Sequence, residues 1–374
     1  MEHEKFLKEA LKLARRGEGL VSPNPMVGAV ITRGSQVVGR GWHRAYGLAH
    51  AEIEALKEAG PKARGGRLYV TLEPCCHHGK TPPCVPAIVA SGIKEVFCCM
   101  ADPNPLMQGK GFKLLEQNGV RVRVGWQERE AMALNQAYLT RMNQQRPYLI
   151  LKWAMTLDGK IAMASGDAAW VTGEESRNWV RSFRFTCDAV LVGINTVLRD
   201  DPQLSYRPPR FQTQQALLQR KRYFKVILDS QLRTPRQARI FSDPACRVLI
   251  FTSEQAPEAK VRELAGENCL VRRVSRQGSF LNLKEILQHL LKLEVGIVLV
   301  EGGSQVLTSF YQEQLADKLL VFVGNKIAGS QGAIAPLRGP DRKTLEPAPC
   351  LSQVNLKRFG NDFLIEGQLC FPES

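Results

Sequence analysis

The sequence predicts two α/β domains in tandem, and three observations lead to this fold class. The chain has 374 residues, which is long for a single hydrophobic core. Short apolar runs typical of strands alternate with amphipathic stretches typical of helices, which is the pattern of α/β proteins. The alternation is interrupted at Asn143-Gln144-Gln145-Arg146-Pro147, a polar segment closed by a proline. We therefore expect one domain at residues 1–145 and another at 147–374.

The first domain is predicted to begin with an amphipathic helix, because apolar residues recur at helical spacing from Phe6 to Ala14. Two strand-like runs, 26–32 and 36–42, are joined by Arg33-Gly34-Ser35 and indicate a hairpin. The next predicted elements are helix 49–59, strand 67–72, a helix from Cys84, strand 95–100, helix 110–118, strand 120–124 and helix 129–143. This alternation predicts a three-layer α/β/α domain.

The second domain repeats the alternation with different elements. We predict strand 148–154, helix 174–185, strand 189–192, a loop at 200–209, strands 225–229 and 247–252, helix 283–293, strand 296–300, helix 305–312 and an irregular segment at 324–349. Between two of these elements, Glu301-Gly302-Gly303-Ser304 forms a glycine turn from strand to helix. Such a turn lets backbone N–H groups approach a phosphate. The two halves share no internal repeat, so they are different α/β domains.

Composition and charge exclude several classes of protein. The hydrophobic fraction of 44% and the charged fraction of 23% are ordinary for a globular protein. Its apolar runs are too short to span a bilayer, and its first residues have no signal-peptide pattern, so we expect a cytoplasmic protein without a membrane partner. The net charge of +15 is spread over both halves without a basic block, and it fits a phosphorylated small substrate as well as RNA.

His50-Ala51-Glu52, Cys75 and Cys84 are the residues of the first half that indicate chemistry. One imidazole and two thiolates suit tetrahedral zinc with an open fourth position. Zinc lowers the pKa of a bound water, and a nearby carboxylate such as Glu52 can move the proton from that water to a leaving amine. A histidine-x-glutamate triplet followed by proline-cysteine and a second cysteine is the signature of zinc deaminases.

The spacing of the cysteines leaves alternatives open. Eight residues separate Cys75 from Cys84, whereas the generic signature has two, and the rival ligands Cys76, His77 and His78 lie between them. A closed zinc site that only ties loops together is the purely structural alternative. It has no need of Glu52 beside the histidine.

Longer motifs give the sequence a specific resemblance. Ser22–Val30, the His50-Ala51-Glu52 triplet, Thr71–Cys84 with its long loop, and Asp102-Pro103-Asn104-Pro105 resemble the bifunctional riboflavin-biosynthesis deaminase–reductase family. In the second half, Lys152–Lys160, Trp170-Val171-Thr172, Asn195–Pro202 and the Glu301 turn resemble its reductase domain. The resemblance covers nearly the whole chain and implies a cytidine-deaminase-like domain followed by a dihydrofolate-reductase-like one. Cys76 and Ala168 depart from the family, which usually has serine at both positions.

The resemblance also implies two substrate sites, one zinc ion and NADPH. The residues implied to hold the deaminase substrate are Asn24, His43, Lys80, Asp102 and Asn104. Those implied to contact NADPH are Ala154, Trp170, Thr196, Asp200, Ser230, Gly303 and Ser304. Those implied for the reductase substrate are Lys152, Ala168, Arg184, Leu204, Arg207 and Glu301. Within these sets, Lys152 and Asp200 are the candidates for polarisation and proton donation. Asn24 and Asn104 in turns, a structural His43, a solvated Lys80 and a structural Lys–Asp pair are the alternatives.

The implied activity is the deamination of 2,5-diamino-6-(5-phosphoribosylamino)pyrimidin-4-one to 5-amino-6-(5-phosphoribosylamino)uracil, followed by NADPH-dependent reduction of the ribosyl group to ribityl phosphate. The partner is thus a small phosphorylated pyrimidine and not a nucleic acid, and the family leads us to expect a homo-oligomer. The alternatives are a zinc deaminase of a base in RNA with an accessory second domain, and a chain with only one working half. Evenly spread charge and cofactor-like motifs in the second half speak against the RNA deaminase.

Overall fold

A computed structural model describes residues 2–168, 170–208, 215–339 and 344–372. They divide into two compact units, and the chain passes from the first to the second between Gln145 and Arg146. A short segment around Gln215–Leu218 groups with the first unit. Both units are α/β, as predicted from the sequence. In the described part of the chain, no helix has the length and apolar character needed to cross a membrane.

The first unit is built on a five-stranded sheet in the order β2-β1-β3-β4-β5. Its elements are α1 (Glu2–Ala14), β1 (Gly28–Arg33), β2 (Gln36–Trp42), α2 (Ala51–Ala59), β3 (Arg67–Val70), α3 (Cys84–Ala90), β4 (Glu95–Cys98), α4 (Lys110–Gln117), β5 (Arg121–Val124), α5 (Glu128–Leu134) and α6 (Gln136–Gln144). Strand β1 is antiparallel to both β2 and β3, whereas β3, β4 and β5 are parallel. The predicted hairpin at Arg33-Gly34-Ser35 is therefore confirmed.

Helices cover both faces of this sheet, because successive side chains of a strand point to opposite faces. Ile31 and Val70 pack in one buried cluster with residues of α2, α3 and α4. Their neighbours Val30 and Tyr69 pack in another cluster with α1, α5 and α6. The three-layer α/β/α arrangement predicted for this domain is confirmed, and the layer with α2 and α3 carries the candidate metal ligands.

The helix predicted at 129–143 is two helices, α5 and α6, interrupted at Asn135. The Asn135 side chain accepts the backbone N–H of Met26 at 2.8 Å and donates to the Met26 carbonyl at 3.0 Å. A buried asparagine used this way satisfies the backbone of another segment, so its role is tertiary and leaves no helical pattern in the sequence. The consequence is a fixed position for the segment that contains Asn24.

The second unit contains a nine-stranded sheet in the order β10-β9-β8-β7-β13-β6-β14-β16-β15 and a small hairpin of β11 and β12. The elements after α6 are β6 (Tyr148–Met155), α7 (Glu174–Phe183), β7 (Ala189–Gly193), α8 (Ile194–Asp200), α9 (Gln215–Leu218), β8 (Phe224–Leu228), β9 (Arg247–Ser253), α10 (Glu258–Leu264), β10 (Cys269–Val274), β11 (Arg276–Gln277), β12 (Phe280–Leu281), α11 (Leu283–Lys292), β13 (Ile297–Val300), α12 (Ser304–Gln312), β14 (Lys318–Val323), β15 (Cys350–Phe359) and β16 (Asp362–Cys370). In the large sheet, neighbouring strands are parallel along the series β10, β9, β8, β7, β13, β6 and β14. Strands β16 and β15 follow β14 at one end of the sheet, and each is antiparallel to the strand before it.

Among the elements after α6, the sequence did not predict α8, α9, α10, β10, β11, β12, β14, β15 and β16. Helix α8 ends at Asp200, where the sequence predicted only a loop from 200 to 209; residue 209 lies outside the described residues. The described parts of 324–349 contain no helix or strand, as expected.

Lys225 lies inside this sheet with its side chain fully buried. Its ammonium donates to the carbonyl of Ile240 at 3.1 Å and lies 4.0 Å from the carboxylate of Asp243. Burial lowers its pKa. A buried cation needs such partners, since unpaired charge inside a protein is costly.

Candidate active sites

His50, Cys75 and Cys84 converge in the first unit. The Nδ1 atom of His50 lies 3.4 Å from the Sγ atom of each cysteine, and all three donor atoms lie within 4.8 Å of one another. Tetrahedral zinc with bonds of about 2.0–2.3 Å requires ligand atoms about 3.5–4 Å apart. This donor set therefore fits zinc in both chemistry and spacing. The rivals stand apart, because Cys76 and His77 contact Met107 and His78 is exposed.

Local hydrogen bonds explain how Cys84 returns to the site across the long insertion. Cys84 opens helix α3, and its backbone N–H and that of Val85 donate to the carbonyl of Cys75 at 3.0 and 3.1 Å. The N–H of Cys84 also lies 3.3 Å from the Cys75 sulfur. The pKa of Cys75 is lowered to about 4 because the Cys84 thiol donates to its sulfur and His50 lies beside it. A thiolate, which is the form that binds metal, is thus favoured at Cys75.

Glu52 lies in the first turn of α2, two residues after His50, and only 3% of it is exposed. Burial, followed by the negative charge of Cys75, raises its pKa to about 7. A carboxyl group that binds and releases a proton near neutral pH suits general acid–base work. The adjacent strand must have glycine at position 41, because a Cβ there would lie 2.1 Å from the Ala51 carbonyl. The start of α2 can therefore lie against β2.

Asn24 and His43 form a pair beside the metal ligands. The Asn24 amide nitrogen lies 3.2 Å from His43 Nε2, and His43 Nδ1 lies 3.1 Å from the Ala49 carbonyl. Burial lowers the pKa of His43 to about 4, so its ring is neutral at neutral pH. Its Nδ1–H then donates to Ala49, and its Nε2 accepts from Asn24. The His43 ring meets the His50 ring edge-on at 5.4 Å, which places this pair at the metal ligands.

Asp102 and Asn104 lie together in the segment before α4. Asp102 Oδ1 accepts the backbone N–H of Asn104 at 2.9 Å and the hydroxyl of Tyr138 at 2.8 Å. The Asn104 side chain accepts the backbone N–H of Leu106 at 3.0 Å, so it forms a turn, as one alternative held. Lys80 is exposed, and its ammonium lies 4.0 Å from the Tyr46 ring centre.

Sequence reasoning assigned no role to Glu73, whose buried carboxylate accepts three backbone N–H groups. Oε2 accepts from Asp102 at 3.1 Å and Gly109 at 3.0 Å, and Oε1 accepts from Gly111 at 2.8 Å. An ionisable residue in the apolar segment just before Cys75 was the available signal, because a buried carboxylate needs such partners.

Thr81 lies within the Thr71–Cys84 motif, but the sequence predicted no role for it. Its hydroxyl lies 3.2 Å from His50 Nε2, the ring nitrogen that faces away from the cysteines. Hydrogen bonds to the second nitrogen of a metal-binding histidine fix its tautomer and orientation. Thr81 is therefore placed to orient the imidazole.

In the second unit, Glu301 joins two of the predicted site residues. It follows strand β13, and its carboxylate pairs with the guanidinium of Arg184 through two nitrogens. Lys152, from β6, has its ammonium 3.6 Å from Glu301 Oε2. Burial alone would raise the pKa of Glu301, but Arg184 and then Lys152 hold it down at about 2. The carboxylate is therefore ionised within a cluster that carries one net positive charge.

A buried structural pair of Lys152 with Asp200 was the alternative to a catalytic role, and this pairing is wrong. Asp200 is exposed at the end of α8, and Lys152 pairs with Glu301 instead. Arg184 also donates to the carbonyl of Ser205 at 3.2 Å. It thereby reaches the segment of Leu204, which is buried with a φ of 53°.

The glycine turn predicted after Glu301 leads from β13 into helix α12. Gly302 and Gly303 have φ values of 107° and 30°, and the nine-residue helix α12 begins at Ser304. The Ser304 hydroxyl is buried and has no hydrogen-bond partner among the described residues, and the hydroxyl of Thr196 lies 3.6 Å from the position of a Cβ on Gly303. An unpartnered buried hydroxyl at a helix N-terminus fits a phosphate group of a dinucleotide.

The remaining predicted residues of the second unit occupy separate positions. Ala154 lies in β6 opposite Phe322 of β14. Trp170 is exposed, and its ring lies 4.1 Å from the Arg177 guanidinium. Ser230 follows β8, and its carbonyl accepts the Ser253 hydroxyl at 2.8 Å. Ala168 and Arg207 are exposed. Their roles toward cofactor and substrate stay predictions.

Comparison with known families assigns a class to each unit. The model of the cytidine and deoxycytidylate deaminase zinc-binding region matches residues 1–100, and that of the RibD C-terminal domain matches residues 147–365. The fold and the two sites thus define a two-domain deaminase–reductase, with a cytidine-deaminase-like first domain and a dihydrofolate-reductase-like second domain, as the sequence predicted.

The chain belongs to the RibD family of riboflavin biosynthesis proteins. It is 40% identical to the riboflavin biosynthesis protein RibD of Aquifex aeolicus over 96% of both chains, and 36% identical to that of Escherichia coli over 97% of this chain and 98% of the relative. The solved structure of Acinetobacter baumannii RibD, form 1, is 34% identical, covers 99% of both chains and superposes with a TM-score of 0.89. Its family makes this protein a bifunctional enzyme of riboflavin biosynthesis, and a base in RNA is not favoured as its substrate.

Proposed function

We propose that residues 1–145 deaminate 2,5-diamino-6-(5-phosphoribosylamino)pyrimidin-4-one and that residues 147–374 reduce the product with NADPH. A 35% identical structure from Thermotoga maritima, which covers 99% of both chains with a TM-score of 0.83, is described as a diaminohydroxyphosphoribosylaminopyrimidine deaminase and 5-amino-6-(5-phosphoribosylamino)uracil reductase. The observation that carries the proposal is the convergence of His50, Cys75 and Cys84 beside the buried Glu52.

In the deaminase site, Glu52 moves protons. Zinc, when bound by His50, Cys75 and Cys84, supplies a Lewis acid that activates water for attack on a ring carbon. Glu52 accepts a proton from that water and delivers it to the departing amino group, so that one water is consumed and one ammonia leaves. Its pKa of about 7 supports both halves of this transfer.

Five further residues bind the pyrimidine and its ribose phosphate in this proposal. Asn24 and His43 lie beside the metal ligands and bind the pyrimidine ring of the substrate. The Asn24 amide suits this role because it offers both a donor and an acceptor. Asp102 and Asn104 contact the ribosylamine, and Lys80 pairs with the phosphate from its exposed loop.

In the reductase site, NADPH supplies the hydride. Gly303, Ser304 and Thr196 hold its phosphate at the start of α12, and further contacts come from Ala154, Trp170, Asp200 and Ser230. The buried unpartnered hydroxyl of Ser304 supports this placement.

The reductase substrate binds beside Lys152 and Glu301. Arg184, Leu204, Arg207 and Ala168 line its path. The exposed guanidinium of Arg207 suits a phosphate because it can bond two oxygens at once, whereas the guanidinium of Arg184 is bonded to Glu301 and Ser205. Hydride from the cofactor would add to the first carbon of the ring-opened chain, which is an imine carbon, and Lys152 would donate a proton to the imine nitrogen, so that the C=N bond becomes a C–N single bond. Burial lowers the pKa of Lys152, which makes its ammonium a better proton donor.

We further propose a homo-oligomer formed through the reductase unit. Strand β15 is an edge strand of ten residues, and it exposes the apolar side chains of Val354 and Leu356. Long apolar edges promote pairing with another chain. Light scattering should show a multimer, and Leu356→Lys should shift it toward the monomer; a monomeric parent protein would contradict the proposal.

A mass-resolved product assay with zinc-loaded protein tests the two reactions. We expect the deaminated ribosyl compound to accumulate without NADPH and the ribityl compound to form with it. Formation of the first product alone would remove the reductase assignment and leave one working half. Absence of both would refute the substrate, and the same protein would then be tested on RNA.

A further inference from the structure

Beside the zinc ligands, a thiol and an imidazole both contact the thioether sulfur of one methionine. Cys76 Sγ lies 3.7 Å from Met107 Sδ, and His77 Nδ1 lies 3.1 Å from the same thioether sulfur. Met107 is buried, whereas Cys76 and His77 are half-buried and so can be reached from solvent. We propose that Cys76, His77 and Met107 form a second metal site, which binds a soft monovalent cation of the Cu(I) type.

The spacing of these atoms matches the spacing in the zinc trio. His50 Nδ1 lies 3.4 Å from each of its two cysteine sulfurs, and the second cluster has donor separations on both sides of that value. Donors that share one ion through bonds of about 2.0–2.3 Å lie about 3.5–4 Å apart. The separation between Cys76 and Met107 is therefore already in this range, and the separation between His77 and Met107 would have to widen by a few tenths of an ångström.

The donor chemistry selects the ion. A thioether sulfur beside a thiolate favours Cu(I), because zinc is usually held by cysteine, histidine and carboxylate ligands without a thioether, and the hard divalent cations prefer oxygen ligands. Binding exchanges the proton of the Cys76 thiol for the cation, and the proton leaves to solvent. No electron is transferred, because the ion enters as Cu(I). His77 binds as neutral imidazole through Nδ1, and Met107 contributes a neutral lone pair.

The two sides of the site come from segments whose backbones are held in place. Cys76 and His77 directly follow the zinc ligand Cys75. Met107 belongs to the segment whose backbone N–H groups at Asp102 and Gly109 donate to Glu73, and its own N–H donates to the Asn104 carbonyl at 2.8 Å. The site thus joins the zinc loop to the loop proposed to hold the ribosylamine, and it does not depend on the proposed substrate.

Competition for Cu(I) under anaerobic conditions tests the site. Zinc-loaded protein is titrated against a chromophoric Cu(I) chelator while released zinc is followed with a zinc indicator. Cys350 and Cys370 lie opposite each other on β15 and β16 and would also take the ion, so Cys350→Ser/Cys370→Ser is the background for every variant. In that background we expect one equivalent of Cu(I) to bind before any zinc is released.

Cys76→Ser and Met107→Leu should each weaken this equivalent at least tenfold, and His78→Ala, which changes an exposed neighbour, should leave it unchanged. Leucine is close to methionine in volume, so Met107→Leu should keep the fold, and retained zinc verifies that it does. Release of zinc with the first equivalent would place Cu(I) on Cys75 and Cys84 and overturn the proposal. Unchanged Cu(I) affinity in Met107→Leu would overturn it as well.

Discussion

The carboxylate of Glu73 accepts the backbone N–H of Gly111 at 2.8 Å, which joins the segment before Cys75 to the start of α4. A Cβ at Gly111 would lie 2.2 Å from the Pro74 carbonyl, so this approach is possible only with glycine. The same carboxylate holds the backbone of Asp102 and Gly109. Glu73 therefore links the segment before the zinc ligand Cys75 to the segment from Asp102 to Gly111, which contains proposed substrate residues. Glu73 itself is not a proposed ligand of the metal or of the substrate.

Glu73→Gln should disturb substrate binding more than chemistry, because the amide cannot accept all three N–H groups. We expect the KM of deamination to rise with a smaller change in kcat, and the free energy of unfolding to fall by about 1–3 kcal/mol. Steady-state kinetics measure KM and kcat, and urea unfolding measures the free energy of unfolding. Glu116→Gln, an exposed change on α4, serves as the control; an unchanged KM in Glu73→Gln would reject the positioning role.

Thr81→Val removes the hydroxyl beside His50 Nε2 with little change in volume. Zinc affinity should fall about 10- to 100-fold, as is usual when a partner of a metal-binding histidine is lost. Competition with a chromophoric zinc chelator measures the change. Thr81→Ser, which keeps the hydroxyl, should retain most of the affinity for zinc. Equal losses of affinity in Thr81→Val and Thr81→Ser would attribute the effect to packing of the threonine methyl group and contradict a role of the hydroxyl.

Glu52→Ala should keep zinc and the fold while it lowers the rate of deamination at least 100-fold, since proton transfer contributes about 10²–10⁴ in rate. Ammonia release and metal content are measured on the same sample. Reduction of the deaminated compound, supplied directly, is the internal control and should be unchanged. Loss of zinc in this variant would reassign Glu52 as a metal ligand.

Arg207→Ala should weaken the second reaction and spare the first. Loss of a hydrogen bond from a cation to a phosphate costs about 1.5–3 kcal/mol, so we expect the KM of reduction to rise about 10- to 100-fold. Arg272→Ala removes an exposed arginine from β10 and is the matched control. A parallel fall in deamination would contradict the division into two independent sites.

The ion cluster at Glu301 should make stability depend on pH. Its folded-state pKa of about 2 lies below the ordinary value of 4.5, so ionised Glu301 stabilises the fold. That stabilisation, about 3 kcal/mol, is fully present above pH 4.5 and is lost as the pH falls through about 2. Urea unfolding between pH 6 and 3 should show a steeper loss for the parent protein than for Glu301→Gln. Glu267→Gln, an exposed change, should follow the parent, and identical slopes in all three proteins would refute the assignment.

The sequence predicted the elements whose own periodicity is strong. Helix α1, the hairpin and the alternation of the first unit follow from local patterns, and Cys75 and Cys84 meet although their spacing is unusual. Strand β15 escaped prediction because it is an edge strand with exposed side chains and lacks the apolar alternation that marks a half-buried strand. Strand β16 lies inside the sheet, but it buries Asp362, Glu366 and Gly367, which interrupt the apolar pattern expected of a buried strand.

Contacts between distant segments were beyond local patterns. Glu73 binds backbone groups up to 38 residues away, and Asn135 interrupts a helix in order to bind Met26, 109 residues earlier. Lys152 and Asp200 were both candidates for polarisation and proton donation, with a structural pair of the two as the alternative, whereas strand order places Lys152 beside Glu301. Such hydrogen-bond and ion-pair partners depend on which segments become neighbours in the folded protein, and local sequence patterns do not reveal this.

The fully buried ammonium of Lys225 gives the second unit a chemical reporter of its own. An amine-reactive reagent can modify exposed lysines in the folded protein, but it reaches Lys225 only when the sheet around β8 opens. Protection of this one amine against labelling, followed by mass spectrometry, therefore records how often that sheet opens, with no engineered probe.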